Sequence, residues 1–427
     1  MGSFSTPLSG LNAAQGQLQS VSNNLANLNT DGYKDQSLTF SDVFSQTGAT
    51  NGSGDPLQTG SGVVVSSTDA DFTEGSLNPT GTASNMALSG NGFFVTQGAG
   101  NTIEYTRAGD FTTNKLGQII TPNGELLLGY PAVNGVVNNA TTLQPLQVGT
   151  GLIAPAVAST TINISANLNA SSSPGDTASS TLPVYDALGA AHTLSVTYTM
   201  TAPNTWTYAV TIPSADLTPA STTPNTTIAS GTLNFVSGVL VSTEPTGGTA
   251  TVPPSAGIAL NIPPTGLNFA DGAPALPITW NLVTNGVPTI TQTATASATS
   301  ATSTNGFASG SLQSYAVQSD GTIEGTFTSG QTLALGQVAV ASFANVQGLA
   351  AIGNNNYQPT AASGAAVVGV AGTGGRGTIV GGSVEQSNVN IATEFAKLIV
   401  AQQAYSANAK TITTFNQVSQ TTIAMLQ

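Results

Sequence analysis

The fold is decided at the two ends of the chain, and the N-terminal end reads Thr6-Pro-Leu-Ser-Gly-Leu-Asn-Ala-Ala-Gln-Gly-Gln-Leu-Gln-Ser-Val-Ser-Asn-Asn-Leu-Ala-Asn-Leu28. Thr6 offers an N-cap, and Pro7 suits the first helical position. Apolar residues then alternate three and four apart, at Leu11, Ala14, Leu18, Val21, Leu25 and Leu28. This spacing is typical of a coiled-coil seam. Gly32, in Asn29-Thr-Asp-Gly32, suits the left-handed conformation that ends a helix.

The C-terminal end carries a second heptad pattern. One frame holds Ile391, Leu398, Tyr405, Ile412 and Leu426, and the companion frame holds Phe395 and Ile423. Isolated helices of this length are marginal in water, and burying a seam leucine is worth roughly 1.5–3 kcal/mol. The helices therefore need a partner. We predict that the two ends form a coiled coil completed by neighbouring subunits; packing of the ends onto the chain's own β domain stays open as the alternative.

The middle of the chain has the pattern of β-strands. Apolar and polar residues alternate in His192-Thr-Leu-Ser-Val-Thr-Tyr-Thr-Met200 and in Thr205-Trp-Thr-Tyr-Ala-Val-Thr-Ile212. Such alternation predicts half-buried strands, and the Pro and Gly clusters between the runs predict turns. The predicted fold class is therefore mainly β with α-helical termini, and the 427-residue length suggests about three domains.

Composition excludes several kinds of function. Only 6% of residues are charged, the net charge is −13, and six Lys and Arg residues are scattered along the chain. A basic stripe for nucleic acid cannot be built from so few. With no cysteine and one histidine, disulfides, thiolate chemistry and multi-histidine metal sites are also excluded. We expect no cofactor, no metal site and no enzymatic activity.

Neither a signal peptide nor a membrane span is expected. The start, Met1-Gly-Ser-Phe-Ser-Thr6, has no basic region followed by an apolar run. No stretch of 18 apolar residues occurs in the chain. If the protein leaves the cell, it is expected to use another export route.

Ordered motifs resemble the rod–hook family of bacterial flagellar axial proteins. The N-terminal signature of that family is similar to Leu8-Ser-Gly-Leu-Asn-Ala-Ala14 and Ser22-Asn-Asn-Leu-Ala-Asn-Leu-Asn-Thr-Asp-Gly-Tyr-Lys34. Its β-domain motifs resemble Gly90-Asn-Gly-Phe-Phe-Val95 and Tyr105-Thr-Arg-Ala-Gly-Asp-Phe111. Leu182-Pro-Val-Tyr-Asp-Ala-Leu-Gly189 resembles a segment of the hook members. Glu385-Gln-Ser-Asn-Val389 and Ala401-Gln-Gln-Ala-Tyr-Ser-Ala-Asn-Ala-Lys410 are similar to the family's C-terminal end.

The resemblance implies a structural subunit of the flagellar hook. Such subunits polymerise helically into a flexible hollow tube, a universal joint that carries motor torque from rod to filament. The implied domains are an inner helical coiled-coil domain (1–32 and 383–427), a middle β domain (33–150 and 305–382) and an outer inserted β domain (151–304). The implied partners are further copies of the chain, the rod, the hook cap, the hook–filament junction proteins and the type III export apparatus, with an extracellular location in the flagellum and no cleaved signal peptide.

Particular residues follow from the resemblance as assembly or motif residues. In the helices they are the seam residues above with Leu8, Asn23, Asn24 and Gly32. Asn23, Asn24 and Asn27 are middling helix formers, and the resemblance favours packing of these amides across helices over exposure to solvent. In the β domain they are Phe93, Phe94, Tyr105, Arg107, Asp110 and Phe111. For Arg107 and Asp110, a local ion pair and an intersubunit contact both stay open.

Other patterns favour structural roles over chemistry. Gly372-Thr-Gly-Gly-Arg-Gly377 spells a dinucleotide motif, but Thr378-Ile-Val-Gly-Gly382 does not begin a helix, so a turn is predicted. Asp69, Asp71 and Glu74 are interpreted as a solvated loop. His192 is interpreted as an ordinary strand residue, and Trp206 and Trp280 as core. A distal rod subunit, an extracellular β-rich adhesin and a glycan-active enzyme remain as alternatives.

Overall fold

The computed structural model of the protein describes residues 5–43, 46–50, 56–149, 151–219, 222–246 and 257–425, with residues 46–50 and 56–59 described by their backbone. Two compact units are present. The terminal unit comprises Met1–Thr150, Ser314–Gly325 and Leu333–Gln427. The central unit comprises Gly151–Gln313 and Thr326–Thr332.

Helices lie at the two ends and strands between them, which confirms the predicted fold class. Helix α1 spans Ser5–Ala26 and helix α2 spans Ile391–Met425, with short 3-10 helices at Ala99–Asn101, Ser214–Asp216 and Val346–Gly348.

The first strands belong to the terminal unit. They are β1 (Gln36–Asp42), β2 (Gln46–Thr50), β3 (Pro56–Thr59), β4 (Val63–Ala70), β5 (Leu77–Pro79), β6 (Met86–Ser89), β7 (Phe93–Gln97), β8 (Ile103–Thr106), β9 (Thr112–Thr113), β10 (Ile119–Ile120), β11 (Leu126–Val133), β12 (Val136–Val137) and β13 (Gln144–Pro145).

The next strands belong to the central unit. They are β14 (Ile153–Ala154), β15 (Thr161–Asn169), β16 (Thr177–Tyr185), β17 (Ala191–Ala202), β18 (Thr205–Pro213), β19 (Leu217–Thr218), β20 (Asn225–Val236), β21 (Val239–Pro245), β22 (Ile258–Ile262), β23 (Asn268–Phe269), β24 (Leu276–Asn281), β25 (Val283–Thr284), β26 (Val287–Pro288), β27 (Ile290–Thr293) and β28 (Ala298–Thr304).

The remaining strands lead back to the terminal unit, and three boundaries between the units fall within the first three of them. They are β29 (Gly310–Val317), β30 (Thr322–Phe327), β31 (Thr332–Ser342), β32 (Ala350–Gly353), β33 (Asn356–Gln358), β34 (Val367–Val370), β35 (Thr378–Gly381) and β36 (Ser383–Glu385).

The main sheet of the terminal unit is buried on both faces. Its strands run in the order β31, β11, β7, β8, β33, β32. Successive strand residues point to opposite faces, so Phe94 enters one apolar cluster and Phe93 enters the other. Val338 and Ala339 divide in the same way. This two-sided burial explains why β7 and β31 carry continuous runs of buried residues and do not alternate.

The central unit is built on one large sheet with a single core. The sheet order is β16, β17, β18, β20, β21, β27, β15, β24, β22, and β28 also pairs with β15. Alternate residues are buried along β17 and β18, as the sequence pattern predicts. Trp206 and Trp280 are both fully buried in the core, which confirms their interpretation as core residues.

The helices differ from their predicted form at their ends. Helix α1 stops at Ala26, so Leu28 and Gly32 lie beyond it, contrary to the prediction. Gly32 does have a positive φ of 69°, but it serves a turn in which its amide donates to the Glu385 carbonyl at 2.7 Å. A Cβ there would meet the Ala108 backbone nitrogen at 2.4 Å. Residues 383–385 form strand β36 paired with β5, and α2 begins only at Ile391.

The two helices pack antiparallel to one another. Gly10 lies against Asn408, and Asn24 hydrogen-bonds to Glu394. Gly10 and Asn24 are as far apart along α1 as Asn408 and Glu394 are along α2, and the order is reversed. The helices therefore run in opposite directions and keep one register between the two contacts. Helix α1 also packs on the β1–β4 ribbon, where Gly16 faces Leu38 and Val65. Helix α1 therefore contacts both α2 and the chain's own β domain, and completion of the coiled coil by neighbouring subunits stays a prediction.

Two predicted turns are confirmed in position. Residues 372–377 connect β34 to β35, and the strand begins at Thr378 with no helix, as expected for a turn. Asp71 and Glu74 are exposed, and each accepts a backbone hydrogen bond, from Thr73 and Gly90. Asp69 differs from the prediction: it is half-buried on β4, where its carboxylate accepts from Thr39 at 2.8 Å.

Candidate assembly site

A buried asparagine joins the two helices. Asn24 has no exposed surface. Its Nδ2 donates to Glu394 Oε2 at 3.1 Å, to the Gln36 carbonyl at 2.9 Å and to Asp35. Its Oδ1 accepts from the Tyr33 hydroxyl at 3.0 Å and from the Gln36 amide at 3.0 Å. An amide side chain offers two donors and one acceptor oxygen, so every polar atom of Asn24 is engaged, and α1 is held in register with α2 and with the segment that follows α1.

A half-exposed lysine completes this polar contact. Lys397 donates to the buried Glu394 at 2.6 Å and lies 3.7 Å from Asp35. Burial opposes its charge, but the hydrogen bond to Glu394 and the charge of Asp35 outweigh burial and raise the pKa of Lys397. Burial also raises the pKa of Asp35, which Lys397 partly offsets. The helix pair is thus held by a small charged network as well as by apolar packing.

Replacing Asn24 with leucine should weaken both the helix pair and assembly. The leucine removes one hydrogen-bond partner from each of two buried side chains, Glu394 and Tyr33. An unsatisfied buried polar group lowers the free energy of unfolding by about 1–3 kcal/mol. Urea unfolding of the monomer and electron microscopy of polymers measure the two effects. Asn12→Leu, at an exposed position of α1, is the matched control for stability. Unchanged unfolding together with normal motility would contradict the role of Asn24.

A second buried network joins three charged residues that lie far apart in the sequence. Lys34 Nζ lies 2.6 Å from Glu385 Oε1, and Arg107 Nη1 lies 3.3 Å from Glu385 Oε2. All three side chains are at most 3% exposed. Lys34 also donates to the Thr73 carbonyl at 2.6 Å, and the Gly75 amide donates to Glu385 at 2.9 Å. We call Lys34, Arg107 and Glu385 the charge triad.

The charge triad is stable only as a complete set. Burial lowers the pKa of Lys34 and of Arg107, and the Glu385 carboxylate opposes that shift in both. Removing ions from water costs several kcal/mol each, and close pairing with full hydrogen bonding offsets it. Arg107 meets part of this condition: Nη1 and Nη2 also donate to the Leu88 and Gly90 carbonyls at 3.2 and 2.7 Å, while its buried Nε has no hydrogen-bond partner among the described residues. The triad therefore fixes the segment that leads from the β-strands into α2.

The suggested ion pair between Arg107 and Asp110 does not form. Arg107 is buried and turned toward Glu385. Asp110 instead lies near Asp31, where burial and the charge of Asp110 raise the pKa of the Asp31 carboxyl. Glu385, at the end of strand β36, meets the guanidinium where both side chains are buried.

The aromatic motif residues are core residues of the terminal unit. Phe94 and Phe111 pack edge to face, with ring centroids 5.2 Å apart. Phe93 packs against Tyr357 at 5.7 Å and lies beneath the Arg107 guanidinium at 5.7 Å. Tyr105 is buried in the same cluster as Phe93. These motif residues hold the β-sheet together, and their role in assembly stays a prediction.

The predicted seam residues are only partly covered within one chain. On α1, Ala14 and Val21 are buried, Leu11, Leu18 and Leu25 are half-buried, and Leu8 is exposed. On α2, Leu398 and Ile412 are half-buried, while Ile391, Phe395, Tyr405 and Ile423 are exposed. Asn23 is exposed and donates to Tyr33 at 3.1 Å. Leu426 lies outside the described residues.

On α2 the buried row differs from the predicted frames, whereas on α1 the predicted Ala14, Val21 and Asn24 are buried. The buried positions of α2 are Glu394 and Ala401, one heptad apart, and Asn408 continues that row against Gly10. Small residues allow the backbones to approach, which a search for large apolar residues misses. Glu394 and Glu385 were not singled out either, although acidic residues are scarce enough in this chain that each one inside an apolar pattern is a usable signal.

Comparisons with known proteins agree with this arrangement. Models of four families match: Flagella basal body rod protein at 4–34, Flagellar hook protein FlgE/F/G D1 domain at 87–171, Flagellar basal body protein FlaE D2 domain at 154–307, and Flagellar basal body rod FlgEFG protein C-terminal at 380–425.

Full-length relatives are similar as well. The chain is 35% identical to the flagellar hook protein FlgE of Salmonella typhimurium, covering 99% of each chain. It is 32% identical to that of Escherichia coli K12, covering 98% of this chain and 99% of the relative. It is 33% identical to that of Borreliella burgdorferi, covering 98% of each.

Helical ends, a β-rich middle and the matched family models define a flagellar axial protein. The chain belongs to the flagellar hook protein family, FlgE. It is a structural subunit of the bacterial flagellar hook, and the distal-rod and adhesin alternatives are not favoured. No described helix is long and apolar enough to span a membrane.

Proposed function

We propose that this chain polymerises helically, through its terminal helices, into a flexible hollow tube that carries motor torque from rod to filament. The observation that carries the proposal is the set of large apolar side chains left exposed along α2. The β1–β4 ribbon covers part of α1, and α1 covers part of α2. Large apolar side chains remain exposed to solvent along α2: Ile391, Phe395, Ile399, Val400, Tyr405, Val418, Ile423 and Met425.

Exposure of this kind marks an interaction surface. Single exposed apolar residues are ordinary, but a run along one helix is a partner site. Phe395 is 50% exposed and Ile399 is 53% exposed, and they lie one turn apart on the same side of α2. At about 25 cal/mol per Å² of apolar surface, burying the exposed half of each of these two side chains stabilises a contact between subunits by on the order of 1 kcal/mol. Repeated in every subunit, this gain supports an open helical assembly made by contacts that do not close.

The domains proposed for this assembly are the three given by the family resemblance. They are the inner helical domain (1–32 and 383–427), the middle β domain (33–150 and 305–382) and the outer β domain (151–304). The division of the compact units between Thr150 and Gly151 supports the boundary of the inserted domain. The pairing of α1 with α2 supports joining the two ends in one domain.

The proposed partners and export route also follow from the family. We propose contacts with the rod, the hook cap, the hook–filament junction proteins and the type III export apparatus. The chain would then leave the cell through that apparatus without cleavage of a signal peptide. The family is structural, and we propose no catalytic activity.

Electron microscopy of the intact chain and of a version ending at Asn390 tests the proposal. This truncation removes α2 but keeps strand β36 and Glu385, so the charge triad is retained. We expect curved tubes from the intact chain only, with unchanged far-UV signatures of β structure in the shortened chain. Straight tubes from the intact chain would point to a rod subunit. No tubes from the intact chain, or equal tubes from both, would contradict the proposal.

A further inference from the structure

The single histidine of the chain is surrounded by carboxylates. His192, on β17 of the central unit, is 5% exposed. Its Nδ1 lies 3.1 Å from Asp216 Oδ2, and its Nε2 lies 3.2 Å from Asp186 Oδ2. Asp271 lies on the Asp186 side, so that one ligand atom each of Asp186, His192 and Asp271 lie within 4.8 Å of one another. This environment differs from the ordinary strand position that the sequence predicts for His192.

The two ring nitrogens cannot both be satisfied by a neutral ring. A neutral imidazole has one N–H donor and one lone pair, whereas ionised carboxylates only accept. A protonated ring donates to Asp216 and to Asp186, whereas a neutral ring whose Nδ1–H donates to Asp216 turns its Nε2 lone pair toward Asp186 and Asp271, where a bound cation fits between them. An imidazole that donates one N–H to a carboxylate and turns its other nitrogen to a site is the usual arrangement of a metal-ligating histidine.

We propose that His192, Asp186 and Asp271 bind a Zn²⁺ ion, with Asp216 orienting the imidazole. Zinc accepts nitrogen and oxygen ligands at about 2.0–2.2 Å in tetrahedral geometry, which places two ligand atoms roughly 3.3–3.4 Å apart. The 3.2 Å between His192 Nε2 and Asp186 Oδ2 matches that edge. A site with one imidazole and two carboxylates also suits zinc better than the oxygen-only sites of Ca²⁺ or Mg²⁺.

The surrounding structure holds two ligands rigidly and leaves the third adjustable. Asp186 is fully buried, and its Oδ1 accepts from the Leu188 and Ala190 amides at 2.8 and 2.9 Å, which leaves Oδ2 for the ion. The His192 ring is stacked on Phe269 with centroids 4.4 Å apart. Asp271 is exposed and provides the route of entry. The ion would link Asp186 in the β16–β17 turn and His192 on β17 to Asp271 in the loop after β23.

Titration of the full-length monomer with Zn²⁺ tests the site. Because the chain has one histidine, its imidazole gives an unambiguous resonance in NMR spectra of histidine-labelled protein. We expect one equivalent of Zn²⁺ to shift that resonance, with the affinity measured by calorimetry. Asp271→Asn should weaken binding at least about tenfold, and Asp216→Asn by about 10–100-fold through the lost orientation of the ring.

Glu244→Gln is the matched control, because it removes an exposed charge from the same unit away from the cluster. Asp271 and Asp216 are both partly or fully open to solvent, so their variants should fold. A Zn²⁺ affinity that Glu244→Gln lowers as much as Asp271→Asn would overturn the proposal. An unshifted imidazole resonance, or an equal shift with Ca²⁺ or Mg²⁺, would also overturn it.

Discussion

Ile399→Glu is expected to abolish tube formation while leaving the monomer as stable as before. Ile399 is 53% exposed on α2, so within one chain the change removes little packing. Glutamate is also a better helix former than isoleucine. In a polymer the same side chain would place a carboxylate in an apolar contact, and burying an unpaired charge is prohibitive. Because every subunit repeats the contact, one substitution should be enough.

Electron microscopy of polymers and thermal unfolding of the monomer measure the two parts of this expectation. Val287→Glu is the control: it adds the same charge at an exposed aliphatic residue of the central unit, outside the helices. Tubes should form normally from that variant. Tubes formed equally well by Ile399→Glu would show that the exposed face of α2 is not the assembly surface, and a large fall in monomer stability would show that it is covered within the chain.

Glu385→Gln is expected to destabilise the terminal unit by about 3–5 kcal/mol. The amide has nearly the same shape, but it leaves Lys34 and Arg107 buried without the carboxylate that pairs with both of them. Removing one partner of a buried ion pair has a cost of this size because the remaining charge is not compensated. The loss should appear in urea unfolding of the full chain as an earlier transition of the terminal unit.

The matched change for this test is Asp42→Asn, at an exposed position of β1 in the same unit. It should alter the free energy of unfolding by no more than about 0.5 kcal/mol, as surface substitutions do. The central unit, which contains no member of the triad, should unfold as before in both variants. A loss below about 1 kcal/mol for Glu385→Gln would mean that the triad does not stabilise the unit.

Much of the fold could be predicted from the sequence because its patterns are local. Heptad spacing identified α1 and α2, and alternation identified strands such as β17 and β18. The end of α1 was misplaced because Gly32 has the expected left-handed conformation for a different reason: the backbone of Ala108 leaves no room for a side chain. A positive φ required by a close approach gives the same sequence signal as one required by a helix end.

The candidate site was predicted only in part. The importance of Asn24 was inferred, and the structure shows that its partners lie on α2 and in the segment after α1. The charge triad was not inferred, because its members are separated by long stretches of chain and only folding brings them together. For the same reason His192 was interpreted as an ordinary strand residue: Asp216 and Asp271 lie on other elements.

The class of the protein follows from its sequence: helices at both ends, β-strands between them, and apolar faces that need a partner. These properties depend on residue type and on the spacing of residues that are close together in the sequence. Tertiary structure alone decided which faces meet. It turned Glu394 and Ala401 toward α1, left Phe395 and Ile399 in solvent, and paired Glu385 with two distant cations. Contacts between distant residues depend on how closely backbones approach and on which charged residues are buried together. Neither can be predicted from the spacing of residues along the chain.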